Sequence, residues 1–143
     1  MSSVRSGEVV GGAVILLDTH AIVFDALVPR RLSARARKAI EAAAENRELA
    51  CCDISLWEMA MLIAHGRLEP SMDARQFLDD VITARSIQVL AITPEVAVLS
   101  QSHAFAHGDA IDRLIAATAR VFRAPLVTSD ERLRALKDVA TIW

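Results

Sequence analysis

Four carboxylates stand at positions where residue type and neighbours point to chemistry. Asp18 closes Leu16-Leu17-Asp18-Thr19-His20-Ala21, Glu58 lies in Ile54-Ser55-Leu56-Trp57-Glu58-Met59-Ala60, Asp112 lies in Asp109-Ala110-Ile111-Asp112-Arg113-Leu114, and Asp130 closes Thr128-Ser129-Asp130. If they converge they cannot all stay ionised without countercharge, and hard oxygen donors with no accompanying Cys or His pattern suit Mg2+ or Mn2+. One or two such ions could lower the pKa of an attacking water, orient it in line with a phosphate and stabilise the leaving oxygen, so phosphodiester chemistry leads.

Each carboxylate also has a plainer reading. Asp18 and Asp130 precede helical segments, where Asp is a favoured N-cap. Asp109 is the better cap for its helix, which leaves Asp112 without that duty. Glu58 is harder to explain plainly, because its segment carries almost no other polar surface and an unpaired buried carboxylate is costly.

The elements that must position these groups follow from apolar spacing. Ala13 to Leu17 reads as a strand buried on both faces. A helix over Leu32 to Glu48 with Ser33 as N-cap comes next, then a strand over Leu49 to Cys52. Ser55 to His65 is apolar nearly all round, which predicts a buried helix ended by Gly66. Helices follow over Asp73 to Arg85, from Pro94 to about His103, over Asp109 to Phe122 and over Asp130 to Leu136. Strands fall at Ile87 to Ile92, Pro125 to Thr128 and Val139 to Ile142. The alternation predicts an α/β domain of three α/β/α layers around a mostly parallel sheet. In such sheets ligands collect beyond the carboxyl ends of the strands, where Asp18 and Asp130 fall.

A chain of 143 residues has the size of one domain, expected over residues 13–143 behind a loose segment 1–12. Its 53% apolar content supplies a core, and its 24% charged residues place it among soluble proteins. The apolar stretch Val9 to Leu17 is interrupted by two glycines and ends at Asp18, short of the roughly 20 residues of a membrane span, so no membrane association and a cytoplasmic location are expected. Adjacent Cys51 and Cys52 cannot staple distant segments and read as small buried hydrophobes. A net charge of −2 argues against a strongly basic nucleic-acid binder, although bound metal ions would supply positive charge.

Taken together, the four segments resemble the PIN domain, over nearly the whole chain from Val14 to Ile142, and within it the toxins of VapBC toxin–antitoxin pairs. The resemblance implies a PIN-like fold and a Mg2+- or Mn2+-dependent endoribonuclease whose acidic quartet is Asp18, Glu58, Asp112 and Asp130. It also implies a homodimer, held inactive by a VapB-like antitoxin whose tail covers the acidic pocket. Thr128 resembles the family's supporting hydroxyl residue, and Thr19, Ser55 and Arg113 are expected in supporting positions. Members usually carry Pro where this chain has Ala110, a departure that loosens a turn and removes no ligand.

Arg30, Arg31, Arg35, Arg37 and Lys38 form the densest basic run, either a solvated helix face balanced by Glu41 and Glu45 or a phosphate contact. With no Tyr and 4% aromatic residues, an extended base-stacking platform is not expected, so RNA recognition should rest on shape and backbone. His103 and His107 have the i,i+4 spacing of two zinc ligands, but no third ligand stands nearby and a chance pair is preferred. His20 either approaches the pocket or packs. Two other functions fit a similar sheet: a metal-dependent phosphohydrolase or phospho-accepting domain using Asp18 as nucleophile, and an inactive PIN-like module that only binds RNA or protein.

Overall fold

The computed structural model describes residues 13–105 and 108–143, so the segment 1–12 and His107 lie outside the described residues. The elements run β1 (Ile15–Leu17), α1 (Thr19–Leu27), α2 (Ala34–Glu45), β2 (Leu49–Cys52), α3 (Ile54–Ala64), α4 (Ala74–Arg85), β3 (Gln88–Leu90), α5 (Pro94–Ser100), α6 (Ala110–Val121), β4 (Leu126–Val127), α7 (Glu131–Arg134) and β5 (Thr141–Ile142). The strands form one sheet in the order β3-β2-β1-β4-β5, and every pairing is parallel.

Successive residues of a strand face opposite ways, and the sequence uses this to build two cores. Leu16, Ala50, Cys52 and Leu126 pack on one face with Val96 of α5 and Ile115 and Ala116 of α6. Leu17, Leu49, Cys51 and Val127 pack on the other with Ala21 and Ile22 of α1, Ile40 of α2, Met59 of α3 and Phe77 of α4. The result is a three-layer α/β/α fold with a wholly parallel sheet. Both cysteines are buried and unbridged, and burial pushes the Cys51 thiol up to about 12, so it packs as a hydrophobe.

Most sequence-derived elements are present, with trimmed ends set by caps. Ser33 and Asp73 accept from the amides of Ala36 and Gln76 and start α2 two residues and α4 one residue inside the expected limits. Gly66, at a φ of +69°, supplies the left-handed residue after α3. The helix from Pro94 ends at Ser100 rather than His103, and His103 sits in a short 3-10 turn, so it shares no continuous helix with Pro94. The expectation of an all-round buried α3 does not hold. Ser55, Met59 and Leu62 are buried, while Trp57 is 56% exposed. Among the described residues no helix is long and apolar enough to cross a membrane.

The order of the strands matters for the site. The chain lays β2 and then β3 on one side of β1 and returns to place β4 on the other, so the connections out of β1 and β4 leave the sheet in opposite directions. That switch point opens a crevice beyond the carboxyl ends of β1 and β4, where Asp18 and Asp130 stand. The Asp18 amide donates to the Val127 carbonyl at 3.1 Å, which fixes the end of β1 against β4. Because Leu17 is fully buried on the strand that carries Asp18, Leu17→Ala should lose about 3 kcal/mol of stability. A urea unfolding midpoint unchanged from the parent would refute that packing role.

Candidate active site

Asp18 is buried at the N-terminus of α1, where its Oδ1 accepts from the Ala21 amide at 2.7 Å. Capping therefore accounts for one carboxylate oxygen and leaves the other for a further role. Burial raises its pKa, opposed by a hydrogen bond with Thr128, the Ala21 amide and the charge of His20. Thr128 is fully buried, and its Oγ1 also accepts from the Asp130 amide at 3.0 Å. Thr128 thus neighbours both aspartates that end β1 and β4.

Asp130 caps α7 in turn, accepting from the amides of Arg132 at 2.8 Å and Leu133 at 3.2 Å. Asp109 caps α6 by accepting from the Asp112 amide at 2.8 Å, so Asp112 carries no capping bond of its own. Glu58 projects from the second turn of α3. The start of that helix is fixed to the start of α1 by a buried hydrogen bond of 3.0 Å from the Thr19 hydroxyl to the Ser55 hydroxyl. Thr19 and Ser55 therefore set the spacing of the elements that carry Asp18 and Glu58.

Asp18, Glu58, Asp112 and Asp130 line one cavity of about 300 Å³, joined by Asp109, Thr19, His20, Phe24, Ser129 and Arg132. The four expected carboxylates are thus brought together. Thr128 lies beneath them and Ser55 behind Thr19, whereas Arg113 faces a neighbouring cavity beside Asp112. A larger cleft, about 670 Å³, opens at the far end of α6, but its charges are balanced between Glu95 and Asp138 and Arg120 and Arg123.

The electrostatics of the cavity record the crowding. Asp112 is pushed up to about 6, first by burial and then by the negative charges of Asp109, Asp130, Glu58 and Asp18. Among the described residues no three of these side chains already stand close enough to enclose an ion. They nevertheless share the lining of one cavity. The carboxylate oxygens of the lining, which also holds His20 and Arg132, fit a hard divalent cation.

The PIN-domain family model matches residues 15–139. The chain belongs to the PIN-domain family. This PIN domain is 36% identical over 132 residues to Ribonuclease VapC22 of Mycobacterium tuberculosis (strain ATCC 25618 / H37Rv), covering 90% of this chain and 98% of that protein. Its fold is shared by the VapBC2 complex of Rickettsia felis, solved bound to a DNA fragment from their promoter, with a TM-score of 0.67 and 17% identity over 90% of this chain and 96% of that chain. A toxin–antitoxin complex from Klebsiella pneumoniae matches with a TM-score of 0.60 and 20% identity, covering 89% and 96%.

Some neighbours of the quartet were not singled out from the sequence of this PIN domain. Arg132 and Ser129 flank Asp130 by one or two positions and could have been read from the loop that carries it. Phe24 reaches the cavity because it lies one helical turn beyond His20, with ring centroids 6.2 Å apart. Asp109, assigned to capping, caps and also walls the cavity.

The raised pKa of Asp112 has a consequence for stability. Its carboxyl ionises near 3.8 when unfolded and near 6 when folded, so its contribution is full below about pH 4 and is lost as pH rises through 6. The difference amounts to at most about 3 kcal/mol, and screening at a half-buried position reduces it to about 1 kcal/mol. Metal-free Asp112→Asn should therefore melt about 3 °C above the parent at pH 8 and lose that advantage at pH 4. Melting curves that show no pH-dependent gap would contradict the crowding.

Proposed function

We propose that this PIN domain is a metal-dependent endoribonuclease and the toxin of a VapBC-type toxin–antitoxin pair. The observation that carries the reading is the convergence of Asp18, Glu58, Asp112 and Asp130 on one cavity at the switch point of the sheet. The named ribonuclease among its relatives and the two complexes sharing its fold support the same assignment.

The quartet would hold Mg2+ or Mn2+, which when bound supplies the Lewis-acid charge that polarises a phosphate and acidifies water. The chain's own residues do the rest. The Ala21 amide holds Oδ1 of the Asp18 carboxylate and so orients the group that would meet the cation. Glu58 and Asp112 face the same space from α3 and α6, and Asp112, poised near 6, is ionised for most molecules at neutral pH. Arg132 supplies the cation at the rim against which a phosphodiester backbone can approach a net-negative cavity.

The basic run gains a role on this reading. Arg31 lies over the Phe24 ring, 4.4 Å from its centroid, and Phe24 walls the carboxylate cavity, which brings one cation of that run towards the entrance. The rest of the run is exposed and available to the RNA backbone. An antitoxin would silence the enzyme by covering the same entrance. A homodimer would bury apolar side chains such as Trp57 and Val98, which are 56% and 74% exposed among the described residues.

Asp18→Asn keeps a side chain able to cap α1 and removes one charge from the cavity. Cleavage of a mixed RNA pool with Mg2+ or Mn2+ should fall at least about a hundredfold, to the level seen with EDTA, while the fold persists. Retained cleavage by the variant would overturn the mechanism, and a folded parent inert with either metal would favour a binding-only PIN module.

A further inference from the structure

Beside the carboxylate cavity lies a second one of about 300 Å³ with a different character. Phe105, Ala116, Leu133, Ala135 and Leu136 give it an apolar lining. The two cavities share Asp112 and Arg132, so the second opens directly from the place where a scissile phosphate would sit. Its volume lies at the lower end of the range for small-ligand clefts, suited to one flat ring system rather than an extended chain.

Arg113 forms part of the same wall. Its Nε is buried and has no hydrogen-bond partner among the described residues. A buried donor left unpaired is costly, and a ligand that draws the guanidinium out to a phosphate oxygen removes that cost. Arg113 and Arg132 therefore set two cations at the mouth of an apolar pocket adjoining an acidic one. A nucleotide matches that pattern: its phosphate meets the arginines and its base enters the apolar space.

We propose that this pocket receives the base of the nucleotide next to the scissile phosphate and so selects where the RNA is cut. The inference rests on the ribonuclease reading above and adds to it a source of sequence preference. It adds a base contact to the expectation that recognition rests more on RNA shape and backbone. A chain with 4% aromatic residues lacks a stacking platform, but one buried aromatic wall with four aliphatic neighbours is enough to enclose a single base.

Ala135 is exposed, follows α7 and touches none of the carboxylates, so Ala135→Trp fills the pocket from its rim without burdening the core. The probes are the four nucleoside 5′-monophosphates, which hold no phosphodiester bond to be cut, titrated calorimetrically with Mg2+ present, alongside the cut-site profile on a mixed RNA pool. The parent should distinguish the bases, and Ala135→Trp should bind the preferred one at least about tenfold more weakly and lose its cut-site preference. Mn2+ affinity should stay unchanged. A parent that binds all four equally, or a variant that cuts at the parent's sites, overturns the pocket assignment while leaving the nuclease reading intact. Base-selective binding by a parent that cuts no RNA would overturn the nuclease reading and leave the pocket standing.

Discussion

Mutual repulsion among carboxylates, held against their preference by a rigid frame, is the constraint from which the rest of this molecule follows. Asp112 sits near 6 because burial and four neighbouring negative charges all oppose its ionisation. A chain selected for stability alone would discard that arrangement, since each charge could be replaced by a neutral residue of the same shape. The fold tolerates it because the elements beneath are tied together by the Thr19–Ser55 hydroxyl pair between α1 and α3 and the Thr128 hydroxyl on the Asp130 amide, while Asp18, Asp109 and Asp130 are each offset by the backbone amides they cap. Cation binding would turn the strain into affinity, because the charges that repel one another attract a common ion.

Capping and chemistry are not rival explanations in this site. Asp18 and Asp130 each give an oxygen to the first turn of a helix and still face the cavity. The cap bond supplies the orientation that a free surface carboxylate would lack. Division of labour appears only on α6, where Asp109 takes the capping bond and Asp112 is left to the cavity. Parallel strand order supplies the remaining requirement, since at the reversal between β1 and β4 the loops part and leave room for a ligand.

Much of this was legible in the sequence because it rests on local signals. Short Val-, Ile- and Leu-rich runs marked the strands, and Ser33, Asp73 and Asp109 marked helix starts within a residue or two. The four carboxylates stood out because Asp18 and Asp130 follow strands, Glu58 interrupts an apolar helix, and Asp112 is left without a capping duty by Asp109. Three things were not. The exposure of Trp57 depends on what covers α3, and an apolar helix reads the same whether its outer face meets its own chain or another. Asp109's place in the cavity wall was hidden behind its capping duty. The apolar pocket draws on Phe105, Ala116 and Leu136, residues that look like ordinary core until the fold leaves a space between them.

The most direct test of the account is Mn2+ binding to the metal-free protein, followed by electron paramagnetic resonance at pH 6 with simultaneous measurement of proton release. If the repelling carboxylates form the metal site, Mn2+ binds, protons leave as Asp112 is forced to ionise, and both signals vanish in Asp112→Asn. A folded parent that binds no Mn2+, or one that binds it unchanged in the variant, would contradict the central claim.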